Sequence, residues 1–530
     1  MNTDDNHAAD GADEIRAKLP QLAAATGAPA PGEGRSLPSI ASNQPTAALC
    51  REVGQCLRRA PLFRRGESLV TVNETTGEVQ PMTPTRWRSW HQRFFTFHDG
   101  EGEKRRTVNA RQDLALCILA SDELRAHVRE LRGVNLLRLP AWRGEGADRT
   151  LDLLPEGYHA PSRTFTVSLL DFARDWPLED AHAWLDGRFA GFPFAETGDL
   201  FTRRSFAAFV GAMLGVFTVN LLPPGAVRPL VLVIGNQPGV GKSTLVRAIL
   251  TPTHGETEED SKPKSDEELR NVLDAAALAG AAYVFLDDVQ NLASNDLNHF
   301  ISSPTHTPRV KGQSTRVKCA NSWQVFATGN HLKLAEDLPR RSLVVFLSAG
   351  EKASEREIAD PMTNTVLFSA AYRAHACAAL WAMLRHWRDC GMPHCRDARL
   401  SSFEAYAALV GSVCVAAGLA NPFARIVDWP MGGDEAGRAL ETALCKLAGP
   451  LVQGEELTTD EILDGLREAG TLDDVLPFEC RDERKALGHK LRKLRGRVFT
   501  DTHGRRFEFG RRAAASGSRY VVHFLDAATG

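Results

Sequence analysis

The stretch that decides the fold is Pro229-Leu230-Val231-Leu232-Val233-Ile234-Gly235-Asn236-Gln237-Pro238-Gly239-Val240-Gly241-Lys242-Ser243-Thr244. The apolar run Leu230–Ile234, rich in β-branched residues, suits a strand buried on both faces of a parallel sheet. The glycines after it let backbone N–H groups close around phosphate oxygens. The helix expected over Lys242–Leu250 turns its positive end to the same charge. In that setting Gly235, Asn236, Gln237, Pro238, Gly239, Val240, Gly241, Lys242, Ser243 and Thr244 form a P-loop cradle for ATP. Lys242 reaches the β- and γ-phosphates, and Ser243 holds Mg²⁺ through its hydroxyl. The strict motif has glycine where Asn236 stands; asparagine tolerates unusual backbone angles better than most residues.

Downstream stretches supply the remaining parts of such a site. Ala282–Leu286 reads as a second strand ending in Asp287-Asp288, 45 residues after Lys242. Asp287 is the expected Mg²⁺ ligand, and Asp288 the group that polarises the attacking water. A third strand, Trp323–Ala327, ends in Thr328-Gly329-Asn330. The Asn330 amide, beside the Asp-Asp strand, is placed to orient the lytic water, and the bland alternative is a turn asparagine. Asp337-Leu338-Pro339-Arg340-Arg341 precedes a fourth apolar strand, Leu343–Leu347. The two arginines read either as a surface salt bridge or as a finger for a neighbouring subunit's γ-phosphate.

The order P-loop, Asp-Asp, Thr-Gly-Asn, Asp-x-x-Arg-Arg resembles AAA+ ATPases of the superfamily 3 helicase type. More closely, it looks like the replication helicase or primase-helicase ATPases of phages and integrative mobile elements. The resemblance is strongest over Arg203–Leu347. It implies a ring, usually hexameric, that translocates on DNA at the expense of ATP. It assigns the sensor role to Asn330 and the finger in trans to Arg340 or Arg341. Asp288 stands where many such proteins carry glutamate, and no primase-polymerase signature is found upstream.

Two segments are expected to meet DNA. Thr307–Lys318, TPRVKGQSTRVK, alternates around Gly312-Gln313-Ser314 as a β-hairpin does, and carries Arg309, Lys311, Arg316 and Lys318 with no acid. The resemblance implies a pore hairpin gripping single-stranded DNA; by residues alone a solvated basic loop fits equally. In the C-terminal segment, Thr458-Thr459-Asp460-Glu461 reads as a capping box opening a helix that ends near Gly470. A second helix, about Asp482–Arg495, carries Leu487, Leu491 and Leu494 on one side, with Arg484, Lys485, Lys490, Arg492 and Lys493 free to project elsewhere. Strands over Arg497–Asp501, Arg505–Phe509 and Ser518–Leu525 complete a winged-helix pattern. Residues 481–512 hold twelve Lys/Arg against four Asp/Glu, a net of +8 in a chain of net −3. That is the footprint of a duplex-binding surface, the alternative being a winged helix used for protein contacts.

The rest of the 530 residues frames this core. Residues 1–48 read as a disordered tail, acidic and polar at its start, unlike a signal peptide. Residues 49–195 read as an α+β accessory domain, with strands over Ser68–Val72 and Glu78–Met82 around a turn at Asn73–Gly77. Helices are expected near Thr85–Phe97 and Gln112–Leu131. The ATPase core spans 196–350, a helical domain with helices at Val366–Trp387 and Phe403–Ala420 spans 351–454, and the winged helix spans 455–530. Phe206–Leu222 is apolar but short for a membrane span, and reads as a core helix. Ten cysteines without a pairing pattern suit a reducing cytoplasm. His386, Cys390, His394 and Cys395 match no familiar zinc spacing. The expected fold is thus α/β, a P-loop AAA+ core with helical, winged-helix and accessory domains. The expected activity is that of a DNA-dependent ATPase, a hexameric replicative helicase acting on single- and double-stranded DNA. The competing class is an ATP-switched initiator or regulator that assembles on DNA without unwinding it.

Overall fold

The apolar run at Leu230 forms the strand its composition calls for, β1 (Leu230–Gly235), buried at every residue. The computed structural model describes residues 37–424 apart from 67, 101, 145–148, 261, 310–317, 331, 336 and 350–360. Beyond 424 it describes 440, 444–445, 456–468, 470, 472–476, 482–493, 498–500, 505–514 and 517–524. The chain divides into two compact units, residues 1–330 with 334–426, and residues 331–333 with 427–530.

In the larger unit β1 is joined by β2 (Tyr283–Leu286), β3 (Gln324–Gly329) and β4 (Ser342–Leu347) in the order β2-β3-β1-β4. All neighbours run parallel. β3 and β4 are buried throughout, as strands covered on both faces must be. Helix α1 (Arg204–Phe217) is buried from Ser205 onward and packs against β4. It stops well short of a bilayer's thickness. No helix among the described residues is long and apolar enough to cross a membrane. A Cβ at Gly215 would lie 2.0 Å from the Tyr406 hydroxyl, so α1 can approach its neighbour only because that residue is glycine.

Helix α2 (Lys242–His254) leaves the P-loop, and α3 (Asp266–Ala279) leads to β2. Ser265 caps α3 by accepting from Glu268 N, and Asp266, Glu267 and Glu268 fill its first turn, where the helix dipole favours acids. Of the helices expected after the core, Val366–Trp387 is two, Asn364–Phe368 and α4 (Ala370–Asp389), broken at Ser369, which turns extended and caps α4 by accepting from Tyr372 N; Phe403–Ala420 is α5 (Glu404–Ala416). α4 is tied to α2, Tyr372 Oη donating to Ala248 O at 2.9 Å and Arg373 Nε to Thr251 O at 3.1 Å. The core also reaches further back than residue 196. Ala195 N donates to Phe346 O at 3.1 Å and Ser348 N to Pro193 O at 2.7 Å, so residues 193–195 edge the sheet. The preceding helix, Leu178–Phe189, packs on α4.

The segment before it carries small sheets, one ordering Val79–Pro81, Ser68–Val72, Leu62–Arg65 and Arg129–Glu130. The turn at Asn73–Gly77 forms as its residues dictate. Asn73 Oδ1 accepts from Thr75 N and Thr76 N, and Gly77 takes φ +74°. Three expectations change here. Order begins before residue 48, since Ser39–Ala41 pairs in parallel with Thr96–His98 and Ile40 is buried; one apolar residue in a Pro/Ser-rich stretch gave too little pattern. The helix near Thr85 ends at Trp90, and Thr96–Asp99 is a strand. Trp87, Phe95 and Phe97 are clustered there in one aromatic core. The helix over Gln112–Leu131 is two, broken at Ser121, which turns extended and caps Asp122–His127 by accepting from Leu124 N.

The smaller unit opens on β5 (Glu456–Thr458) and α6 (Thr459–Glu468). The capping box closes as written: Glu461 N donates to Thr458 Oγ1 at 3.2 Å and Thr458 N to the Glu461 carboxylate at 2.6 Å. A single-turn helix at Leu472–Val475 follows, then helix α7 (Glu483–Lys493), β6 (Val498–Thr500), β7 (Arg506–Ala514) and β8 (Gly517–Phe524). The antiparallel sheet runs β5-β8-β7-β6. Ile462, Leu463 and Leu466 of α6 and Leu487 and Leu491 of α7 share one core; Leu494 and the turn at 502–504 lie outside the described residues. β5 was not legible in advance, because three residues before a strong capping signal carry no alternation of their own.

Candidate active site

The parallel register sets the site. Ile234 lies beside Gly329 and Gly235 beside Leu347, while Leu286 pairs with Ala327. The carboxyl ends of β1, β2 and β3 therefore bring the P-loop, the Asp pair and Asn330 to one edge, the edge where open α/β sheets bind ligands.

The loop has the backbone a phosphate cradle needs. Gly239 and Gly241 take φ +78° and +97°. A Cβ on Gly241 would also come 2.8 Å from the Phe192 ring. Asn236 takes no such angle, which corrects the expectation for it. Its amide pairs with one backbone unit instead, Nδ2 donating to Ala349 O at 2.9 Å and Oδ1 accepting from Ala349 N at 3.1 Å. Gln237 Nε2 donates to the same carbonyl at 3.1 Å. Asn236 is thus a clip holding the loop to the chain leaving β4.

Lys242 is 8% exposed, and its Nζ donates to Asn330 Oδ1 at 2.7 Å and Gln237 O at 3.2 Å. Burial pulls its ammonium below the usual lysine value, while Asp288 and Asp287 work to raise it. Ser243 Oγ donates to Asp287 Oδ1 at 2.6 Å. Thr328 Oγ1 donates to the same oxygen at 2.6 Å and accepts from Asp288 N at 2.8 Å. Asp288 sits at φ +48°, a conformation kept when surroundings impose it; its carboxylate lies 2.7 Å from Lys262 Nζ. These groups fit Mg²⁺ and a nucleotide: a hydroxyl and a carboxylate in contact for the ion, and a lysine between two amide groups for the phosphates.

Two residues here escaped the sequence reading. Thr328 looked like part of a turn; its role comes from standing beside β2, which only the sheet order reveals. Lys262 lies in an acidic, Pro-containing loop with no periodicity to mark it. Thr328→Val should raise the Mg²⁺ concentration for half-maximal ATP hydrolysis by about 10–100-fold, the usual cost of losing a group that orients a metal ligand. A magnesium titration of the variant checks this, and an unchanged midpoint would remove Thr328 from the site.

Arg340 and Arg341 occupy a single 3₁₀ turn, Pro339–Arg341, directly before β4. Arg340 is 60% exposed and 2.7 Å from Asp337; Arg341 is 21% exposed, 3.6 Å from Asp337, and donates to Ser302 Oγ at 3.1 Å. They lie at the sheet's amino edge, since Ser342 is level with Leu230, so the structure does not bring them to their own P-loop. At the basic segment, Thr305–His306 pairs antiparallel with Cys319–Ala320, closing the base of residues 307–318. Asp274 anchors this base, accepting from Arg309 N at 3.1 Å and lying 2.6 Å from His306 Nε2. Arg309 and Lys318 are exposed; Lys311 and Arg316 lie outside the described residues. In the smaller unit Arg484 and Lys485 are exposed and Lys490 is half-buried, while the side chains of Arg492 and Lys493 are outside the described set. Cys390 Sγ is 3.5 Å from His386 Nε2, and no group of three possible metal ligands among His, Cys, Asp and Glu occurs among the described residues.

No protein family matches the sequence, and no curated protein does. Among solved structures, the apo A form of the NrS-1 C-terminal region is 12% identical, covers 89% of this chain and 98% of its own, and superposes with a TM-score of 0.37. A JCV helicase bound to a thiazolopyridine compound is 14% identical over 40% of this chain and 61% of its own, with a TM-score of 0.19.

Proposed function

We propose that this chain is a DNA-dependent ATPase of the AAA+ type, and that it works as a hexameric replicative helicase of a phage or mobile element. The observation that carries the reading is the junction at the sheet's carboxyl edge: Lys242 on Asn330, and Ser243 and Thr328 on Asp287. A bound Mg²⁺–ATP would supply the reactive phosphoanhydride and the Lewis acid. Lys242 neutralises phosphate charge, Ser243 and Asp287 hold the ion, and Asp288 and Asn330 orient water. Because Lys242 and Asn330 already share a hydrogen bond, a nucleotide that draws Lys242 away releases Asn330, and its occupancy is felt on β3. Measuring ATP turnover with and without single-stranded DNA tests the reading; a chain that neither hydrolyses ATP nor responds to DNA would refute it.

In this reading residues 455–530 are a winged-helix DNA-binding domain, 351–454 a helical domain, and 49–195 an accessory module behind the tail of residues 1–48. The proposed location is cytoplasmic. Deleting residues 455–530 should weaken duplex binding more than basal ATPase. Wild-type binding should fall steeply with salt, because the +8 segment releases counterions. Anisotropy titrations at several salt concentrations check this; unchanged affinity and slope would make the segment a protein-contact module. Lys311→Ala should leave ATP hydrolysis in place and abolish strand separation, because the basic segment lies in sequence between the Asp pair and Asn330 and carries four cations with no acid. A forked-duplex assay checks it, and normal unwinding would put the grip elsewhere. The initiator reading differs on that same segment, since a switch that does not translocate has no need of it.

A further inference from the structure

At the opposite edge of the sheet from the P-loop lies a cavity of about 980 Å³. Arg228, Ala282 and Ser322, which stand just before β1, β2 and β3, form one side of it. The N-terminal segment forms the other, with Arg65, Arg132, Arg143 and Arg149. Five guanidinium groups thus line one concave surface, and no Asp or Glu is among the described residues lining it.

Little compensates this charge. Arg65 donates to Ala279 O and Gly280 O, and Arg228 to Ser322 O, all carbonyls. Burial lowers both guanidinium groups from the ordinary arginine value, Arg228 to about 10. Arg143 pairs with Asp152 at 3.2 Å, and Arg149 lies over the Trp142 ring at 4.0 Å. Arg132 Nε and Asn220 Nδ2 are buried donors without an acceptor. Buried cations are normally paired and buried donors normally bonded. A surface with surplus donors and, among the described residues lining it, no acid is therefore short of an anion. The guanidinium fork matches phosphate oxygens, and the volume suits a ligand of nucleotide size.

We propose that this cavity is a second anion site taking a phosphate-bearing ligand, either a free nucleotide or the phosphodiesters of a bound single strand. It shares no residue with the P-loop site. Helix α2 joins the two, starting at Lys242 in the loop and ending at Thr253 and His254 in the cavity wall, about 20 Å away at helical rise. The N-terminal segment thereby gains a role, supplying most of the charge of a ligand site that abuts the ATPase sheet.

The test uses the full-length chain carrying Lys242→Ala, so that the P-loop contributes equally to every comparison. Pyrophosphate and ADP are titrated by calorimetry and a fluorescein-labelled oligothymidylate by anisotropy. Arg132→Ala/Arg149→Ala should weaken at least one probe by about tenfold or more, and the paired lysine substitutions should restore part of it. Losses for pyrophosphate and ADP identify a free nucleotide; a loss confined to the oligonucleotide identifies a strand. Arg149→Glu, at an exposed position, must weaken the same probe and stands in if the double variant does not fold. Arg111→Glu, exposed and outside the cavity, gives the size of any long-range effect. If Arg149→Glu weakens no probe more than Arg111→Glu does, the proposal is overturned.

Discussion

Lys242→Ala is expected to stop ATP hydrolysis, a loss of at least roughly a hundredfold, the scale of one preorganised charge on a transition state. The fold should survive. Alanine is the best helix former, and position 242 opens α2. Burial pulls the wild-type ammonium below the usual lysine value, so its removal deletes a desolvated charge along with its bond to Asn330. Melting curves and turnover on the same preparation check both halves. Normal turnover by a folded variant would move the chemistry away from this loop.

The second large effect is expected at the arginine pair. Both residues lie at the sheet edge remote from their own P-loop, so a guanidinium from this turn can complete a nucleotide site only in a neighbouring subunit. Such a group is worth about a thousandfold or more in rate. Arg340 is the freer of the two and is the expected finger. Arg341, held by Ser302, shapes the turn. Arg340→Ala/Arg341→Ala should therefore lose ATPase activity, and Arg340→Ala alone most of it. The decisive form is a mixture. A Lys242→Ala subunit has a broken site and an intact finger, and the double arginine variant has the reverse. Mixed assemblies should regain activity where intact site meets intact finger. Full activity in the double variant, or no recovery in confirmed mixed assemblies, would show that the pair acts within its own subunit or only as a salt bridge.

Much of the candidate site could be read in advance because its residues sit at strand ends, and apolar strands are written plainly in sequence. Leu230–Ile234, Ala282–Leu286 and Trp323–Ala327 each announce a strand, and the polar residues at their carboxyl ends mark the site. Sheet order is not written that way. Thr328 gains its place only because β3 lies beside β2, and Asn236 gains its partner only because the chain leaving β4 passes the loop. The first segment was legible in its turn at Asn73–Gly77 and poorly elsewhere. Its strands are short, one expected helix breaks at the single capping residue Ser121, and several of its arginines line a cavity whose other wall is more than fifty residues away in sequence.

The most direct measurement of the central claim is ATP turnover by the purified chain on a forked DNA duplex, read together with strand separation. The expected result is hydrolysis stimulated by DNA and unwinding that requires it, both lost in Lys242→Ala. Hydrolysis that ignores DNA, or DNA-stimulated hydrolysis with no strand separation by the assembled protein, would contradict the helicase reading, and the second outcome would favour the ATP-switched initiator.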